Sequence, residues 1–228
     1  MSDEIKVITV EQTDPRLGRQ VVHDPRSRGF AMRVDVDESL WRTHFIRVYD
    51  PRPNPNQIIG NCTGVSKCVQ FNAVGNRKTG HVLRMDDAVA IYSKATSLDP
   101  FPGTYPPDDT GSSGLGASKA AQAMGLGGEY RWLFGGADEV VQAVMDGHTP
   151  SVGTWWYNSM FNPDRYGVVR PTGSKAGGHQ WTVRGYDKGK DLIMGRCWWG
   201  TFRDFWIART DLDDLLMDDG DAHIQFRV

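Results

Sequence analysis

Cys62 stands where an irregular, Pro- and Gly-bearing stretch, Asn56-Gln57-Ile58-Ile59-Gly60-Asn61-Cys62-Thr63-Gly64, gives way to a helical pattern. At a helix N-terminus, unpaired backbone N–H groups and the positive end of the dipole lower a thiol's pKa, and the thiolate is the nucleophile. Far downstream, His179 lies in Gly177-Gly178-His179-Gln180-Trp181-Thr182-Val183, a segment with strand character whose glycines leave room around the ring. A cysteine and a histidine so placed point to a cysteine hydrolase, with His179 as base. Cys68, on the apolar face of the same helix, reads as core, and Cys197 as either a buried strand residue or an active-site neighbour. Of the other histidines, His81 and His148 remain as alternative bases; His23, His44 and His223 have no supporting context.

The chain of 228 residues can bury a substantial core in one large domain or two packed lobes. With 26 basic and 28 acidic residues, the net charge of −2 gives no reason to expect nucleic acid or an anionic membrane as partner. The polar start and the absence of any run of about 18 apolar residues predict neither a signal peptide nor a transmembrane helix. Three cysteines are a poor disulfide framework, and Cys62 and Cys68 would point about 120° apart on a helix. A reducing cytoplasm is the expected location, with a virion as the alternative. No paired Cys/His spacing suits zinc, and Gly125-Leu126-Gly127-Gly128 lacks the strand and helix a phosphate loop needs, so it reads as a turn and no cofactor is expected.

The elements that must position these residues follow from periodicity. Residues 1–50 carry short β-like runs, Ile5–Val10 and Phe45–Tyr49, read as strands or an extended arm. Asp50-Pro51-Arg52-Pro53-Asn54-Pro55 then forces a stiff approach to Cys62. Helical spacing predicts a helix of about 12 residues from Thr63, stopped at Gly75-Asn76, and further helices over Val82–Lys94, Leu115–Met124 and Ala137–Met145. Between them, the Pro-rich loop from Asp99 to Pro107 is placed to line a cleft. Beyond residue 148 the period changes to two. Strands are expected over Pro150–Tyr157, His179–Tyr186, Leu192–Trp199, Arg203–Ala208 and His223–Arg227, with a turn at Asp187–Lys190 and a short helix over Asp211–Met217. Helices crowd the middle and strands the end, which indicates α+β organisation.

In this order the motifs resemble those of papain-like cysteine peptidases of the compact prokaryotic or phage type. The family's Gln-Gly-x-x-Gly-Ser-Cys-Thr-like, Asp-Asp-Gly-Ser-Ser-like, Gly-Gly-His and Asn-Ser-Trp-Gly segments correspond to Asn56–Gly64, Asp108–Ser113, Gly177–His179 and Cys197–Gly200, covering residues from about 45 to 215. The resemblance implies a two-lobed fold with a cleft between: an N-terminal arm (1–50), a helical lobe with the nucleophile helix (51–135) and a β-rich lobe carrying the base (136–228). It implies a peptide or protein substrate cleaved through an acyl-enzyme by Cys62 and His179, with Trp199 shielding the histidine.

Two positions depart from the family pattern. Cys197 stands where the family has the Asn that orients the histidine, and a thiol is a weak hydrogen-bonding group. Asn158 and Asp204 are possible substitutes. The oxyanion donor is Gln57 by residue type or Asn56 by spacing. Two other functions follow from the same residues. Asn61-Cys62-Thr63-Gly64 also resembles the nucleophile segment of cell-wall peptidases, which would hydrolyse peptidoglycan peptides with His81 or His148 as base. The Cys197 departure instead suits a catalytically impaired structural or binding module, for instance among virion or host proteins, with residues 1–50 lying across the cleft or inhibiting it.

Overall fold

The computed structural model describes residues 13–21, 25–73, 81–200 and 202–228. Its centre is α1 (Cys62–Phe71), every residue of which is buried. One side of α1 packs on α2 (Met85–Thr96) and α3 (Gly114–Ala123), the other on the sheet strands β4 (Lys175–Asp187) and β5 (Leu192–Trp199). Helix α2 begins at Met85 rather than Val82, because the Asp87 carboxylate accepts the Arg84 backbone N–H and fixes the start. Ser113 caps α3 by accepting the Gly116 N–H. Helices α4 (Gly136–Met145) and α5 (Arg209–Met217) pack on each other away from α1. The expected stop at Gly75-Asn76 and the expected strand Ile5–Val10 lie outside the described residues.

Seven strands form one antiparallel sheet: β1 (His44–Phe45), β2 (Gly127–Leu133), β3 (Ser151–Tyr157), β4, β5, β6 (Phe202–Ala208) and β7 (Asp221–Arg227). The order is β2-β7-β3-β4-β5-β6, with β1 paired to β4. Central β4 is buried continuously from Ala176 to Val183 and sets Thr154 of β3 opposite His179. The α+β expectation therefore holds, with two corrections. Gly127 and Gly128 open strand β2 instead of making a turn, because their missing side chains let β2 lie close to Phe71 and the β7 side chains. The expected strand Phe45–Tyr49 shrinks to His44–Phe45, after which Val48 makes a lone bridge to Ala73.

The approach to Cys62 is pinned by charge. Arg196 bonds Asp50 at 3.0 Å and Asp204 at 2.7 Å, and Arg184 bonds Asp204 at 2.9 Å, which ties the Pro-rich segment to β4, β5 and β6. The following residues lie along β5, with the Gln57 N–H donating to the Trp198 carbonyl at 2.7 Å. Across the cleft, Asp109 accepts the Gly60 N–H and the Tyr92 hydroxyl, and that hydroxyl accepts the Gly111 N–H. Residues 108–113 thus form a wall beside the loop that leads to Cys62. Among the described residues no helix is long and apolar enough to cross a membrane.

Candidate active site

Cys62 is the first residue of α1, and its sulfur accepts the Gln180 backbone N–H at 3.4 Å. Strand β4 therefore carries His179, one residue earlier, past the N-terminus of α1. The His179 ring is fully buried and neither ring nitrogen has a hydrogen-bond partner. Aromatic rings hold it instead: Trp199 lies at 4.5 Å and Trp156, edge-on, at 5.0 Å between centroids. Gln57 faces the same space, donating from Nε2 to the carbonyls of Arg16 and Ile59 and accepting the Trp199 indole N–H at Oε1. Asn56 faces outward, where its side-chain oxygen accepts the Gly200 N–H.

Cys197 is buried on β5, its thiol pushed up to about 12 by burial, and it makes no hydrogen bond to His179. Neither substitute considered from sequence reaches the ring. The Asp204 carboxylate is taken up by Arg184 and Arg196, and Asn158 donates to Ser174. The alternative bases are also displaced. The His81 carbonyl accepts from Arg227, which also bonds the Phe71 carbonyl, and His148 packs on Phe226 beside Gln70. Both lie at the far end of α1, about 12 Å along the helix from Cys62.

Residues 13–21 fill the cleft, a feature the sequence only allowed for. The Arg19 N–H donates to the Gly178 carbonyl, the Ser112 N–H to the Gly18 carbonyl, and the Gln20 N–H to the Ser112 carbonyl. Leu17 is fully buried, and the Arg16 guanidinium, paired with Asp14, lies 4.4 Å over Trp199. Gly18 passes so close to Gly60 that a Cβ there would strike the Gly60 carbonyl. Gly18 itself was the sequence signal for this approach.

The filled cleft reverses the expected thiol chemistry. Burial pushes the Cys62 thiol up to about 11, outweighing the Gln180, Gly18 and Thr63 N–H groups and the Arg19 charge, which pull it down. Burial, then the Arg16 guanidinium, pushes His179 down to about 3, with Asp14 opposing. With the arm in place both Cys62 and His179 are therefore neutral. An open cavity of about 490 Å³ lies elsewhere, against Trp132, Phe134, Met217 and Gly220. Among the described residues no group of three or more His, Cys, Asp or Glu side chains could hold a metal ion.

Comparison with solved structures gives the fold its relatives. Xylellain, a cysteine protease from Xylella fastidiosa, superimposes with a TM-score of 0.69 at 14% identity, covering 98% of this chain and 100% of that one. Procathepsin B S9 from Trypanosoma congolense gives 0.60 at 13% identity, covering 93% of this chain and 86% of that one. No family sequence model and no curated protein sequence matches the chain. The chain has the papain-like cysteine protease fold over nearly its whole length.

Proposed function

We propose that the protein is a thiol-dependent peptide hydrolase with Cys62 as nucleophile, His179 as base and Gln57 as oxyanion donor, folded with its own residues 13–21 occupying the cleft. One observation carries this reading. A cysteine at a helix N-terminus, a strand-held histidine and a side-chain amide all border one stretch of main chain that is hydrogen-bonded on both sides, as a peptide substrate would be.

When a substrate replaces the arm, water returns and the burial that keeps both groups neutral is relieved. The Arg16 charge, which disfavours an imidazolium, leaves with it. The Cys62 proton can then pass to His179, and the thiolate adds to the carbonyl carbon. The developing oxyanion receives the Gln57 Nε2–H, now taken by the Arg16 carbonyl, and the Cys62 backbone N–H. His179 protonates the leaving amine, and water then hydrolyses the thioester.

The test is hydrolysis of an unstructured protein under reducing conditions. Cys62→Ser and His179→Ala should each lower the rate by about a thousandfold or more. Hydrolysis that survives Cys62→Ser would overturn the reading.

A further inference from the structure

Gly64, in the first turn of α1, makes room for α2. A Cβ at that position would strike the Ala88 carbonyl and lie 3.3 Å from the Tyr92 side chain, so the missing side chain lets the two helices meet here. Tyr92 is thereby brought beside the start of α1, fully buried, with its ring packed on Tyr105 at 5.2 Å between centroids. A buried hydroxyl needs partners, and this one has two. It donates to the Asp109 carboxylate at 2.6 Å and accepts the Gly111 N–H at 2.8 Å. The other Asp109 oxygen accepts the Gly60 N–H at 2.9 Å. One hydroxyl and one carboxylate thus join α2, the wall of residues 108–113 and the loop that leads to Cys62.

Both ends of this brace bear on a chain lying in the cleft. Beside Gly111 is Ser112, whose N–H donates to the Gly18 carbonyl and whose carbonyl accepts the Gln20 N–H, so the wall grips the arm by its main chain. Two residues beyond Gly60 is Cys62. The brace therefore sets how far the gripped main chain lies from the sulfur. The Ser112 hydroxyl donates to Asp99 at 2.6 Å, and Ser113 caps α3. Those bonds hold the wall to the loop after α2 and to α3, without fixing it to Cys62. Attack on a carbonyl carbon needs the reacting atoms about 3–3.5 Å apart, and a misplacement of about 1 Å costs about a hundredfold. A link between grip and sulfur therefore acts chiefly on kcat.

We propose that Tyr92 and Asp109 are positioning residues, one unit that keeps Ser112 in register with Cys62 so that a main chain gripped by the wall presents a carbonyl carbon to the sulfur. This rests on reading the cleft as a peptidase site. Neither residue takes part in the chemistry; both act through Gly60 and Gly111.

Tyr92→Phe removes the hydroxyl and keeps the buried ring, while Asp109→Ala removes the carboxylate at the exposed rim of the wall. Each full chain, and the pair combined, is assayed with two substrates. A fluorogenic acyl-tetrapeptide amide is long enough to reach Ser112; the p-nitrophenyl ester of an N-acetylated single residue is not. The arm competes with substrate and so moves KM, while kcat reads the occupied cleft. Y92F and D109A should each lower the peptide kcat by about tenfold or more and the ester kcat by less than about threefold, and Y92F/D109A should lose no more than the worse single variant. A smaller loss of peptide kcat in either, a larger loss of ester kcat, or losses that multiply in the double variant would overturn the proposal while leaving the peptidase reading intact. If the wild-type chain cleaves no peptide, the peptidase reading fails and amide hydrogen exchange decides the brace. The Ser112 and Gln20 amides, bonded between wall and arm, should then exchange about tenfold or more faster in Y92F, with the Val183 amide of β4, bonded to Pro150, unchanged. A smaller change at Ser112 and Gln20, or equal quickening at Val183, overturns it. Should Y92F fail to fold, D109A carries both readouts.

Discussion

At the residue scale, the account turns on how a histidine is steadied without an amide. Both His179 ring nitrogens lack partners, while Trp199 and Trp156 pack the ring from two directions. Trp199 also donates to Gln57 and carries Arg16 on its face, so one side chain positions the proposed base, the proposed oxyanion donor and the arm. Trp199→Ala should therefore lower kcat at least tenfold more than Cys197→Ala, with a lower melting temperature from the cavity, of order 3–5 kcal/mol. Equal kcat losses in steady-state assays would show that the thiol at 197 matters to the ring after all. Cys62, His179 and Gln57 stood out in the sequence because residue type and local motif mark them. Asp221 and Arg19, paired at 2.9 Å inside the protein, did not. Their pairing joins residues 202 positions apart, and neither lies in a motif. The nearest signal was Gly153 inside the strand run Ser151–Tyr157, where an isolated glycine marks a close approach.

At the element scale, the helices α1, α3, α4 and α5 and strands β3 to β7 were legible because apolar periodicity marks each. Strand β2 was not, since its opening glycines imitate a turn and its identity depends on pairing with β7. The arm was not legible either, because its conformation comes from Ser112 and Gly178 rather than from its own residues. That dependence makes it separable. A Cβ at position 18 would overlap the Gly60 backbone, which belongs to the pinned loop before Cys62 and cannot yield cheaply. Gly18→Ala should therefore lift the arm and raise the rate of iodoacetamide modification at Cys62 by about tenfold or more, read by mass spectrometry of the intact protein and its peptides. Cys68, buried beside the Arg84 carbonyl and away from the arm, should stay unmodified. An unchanged rate at Cys62 would mean that the arm does not guard the thiol.

At the scale of the whole molecule, the buried charges give stability a direction in pH. His179 is held down to about 3 and His223 to about 4, from an ordinary value of 6.5, and Asp221 is held below the usual carboxylate range with Arg19 and His223 pulling it down. In each case the folded state binds its proton less readily than the unfolded chain, so all three effects have the same sign. The two histidines contribute fully above pH 6.5, and their contribution is lost as pH falls from there towards 3–4. Asp221 adds a further loss below about pH 4. The urea midpoint should fall steadily as pH drops from 6.5 to 4; a flat or rising midpoint over that interval would contradict the buried neutral histidines. Arg16 lies beside His179 and Arg19 beside Asp221, so the same protons also loosen the arm. Fold, arm and chemistry therefore meet in one cleft, and a single comparison tests them together. Under reducing conditions, the Gly18→Ala chain should hydrolyse an unstructured protein faster than wild type, and adding Cys62→Ser should abolish that hydrolysis; activity that persists in the double variant, or none in Gly18→Ala while Cys62 is freely alkylated, would contradict the account.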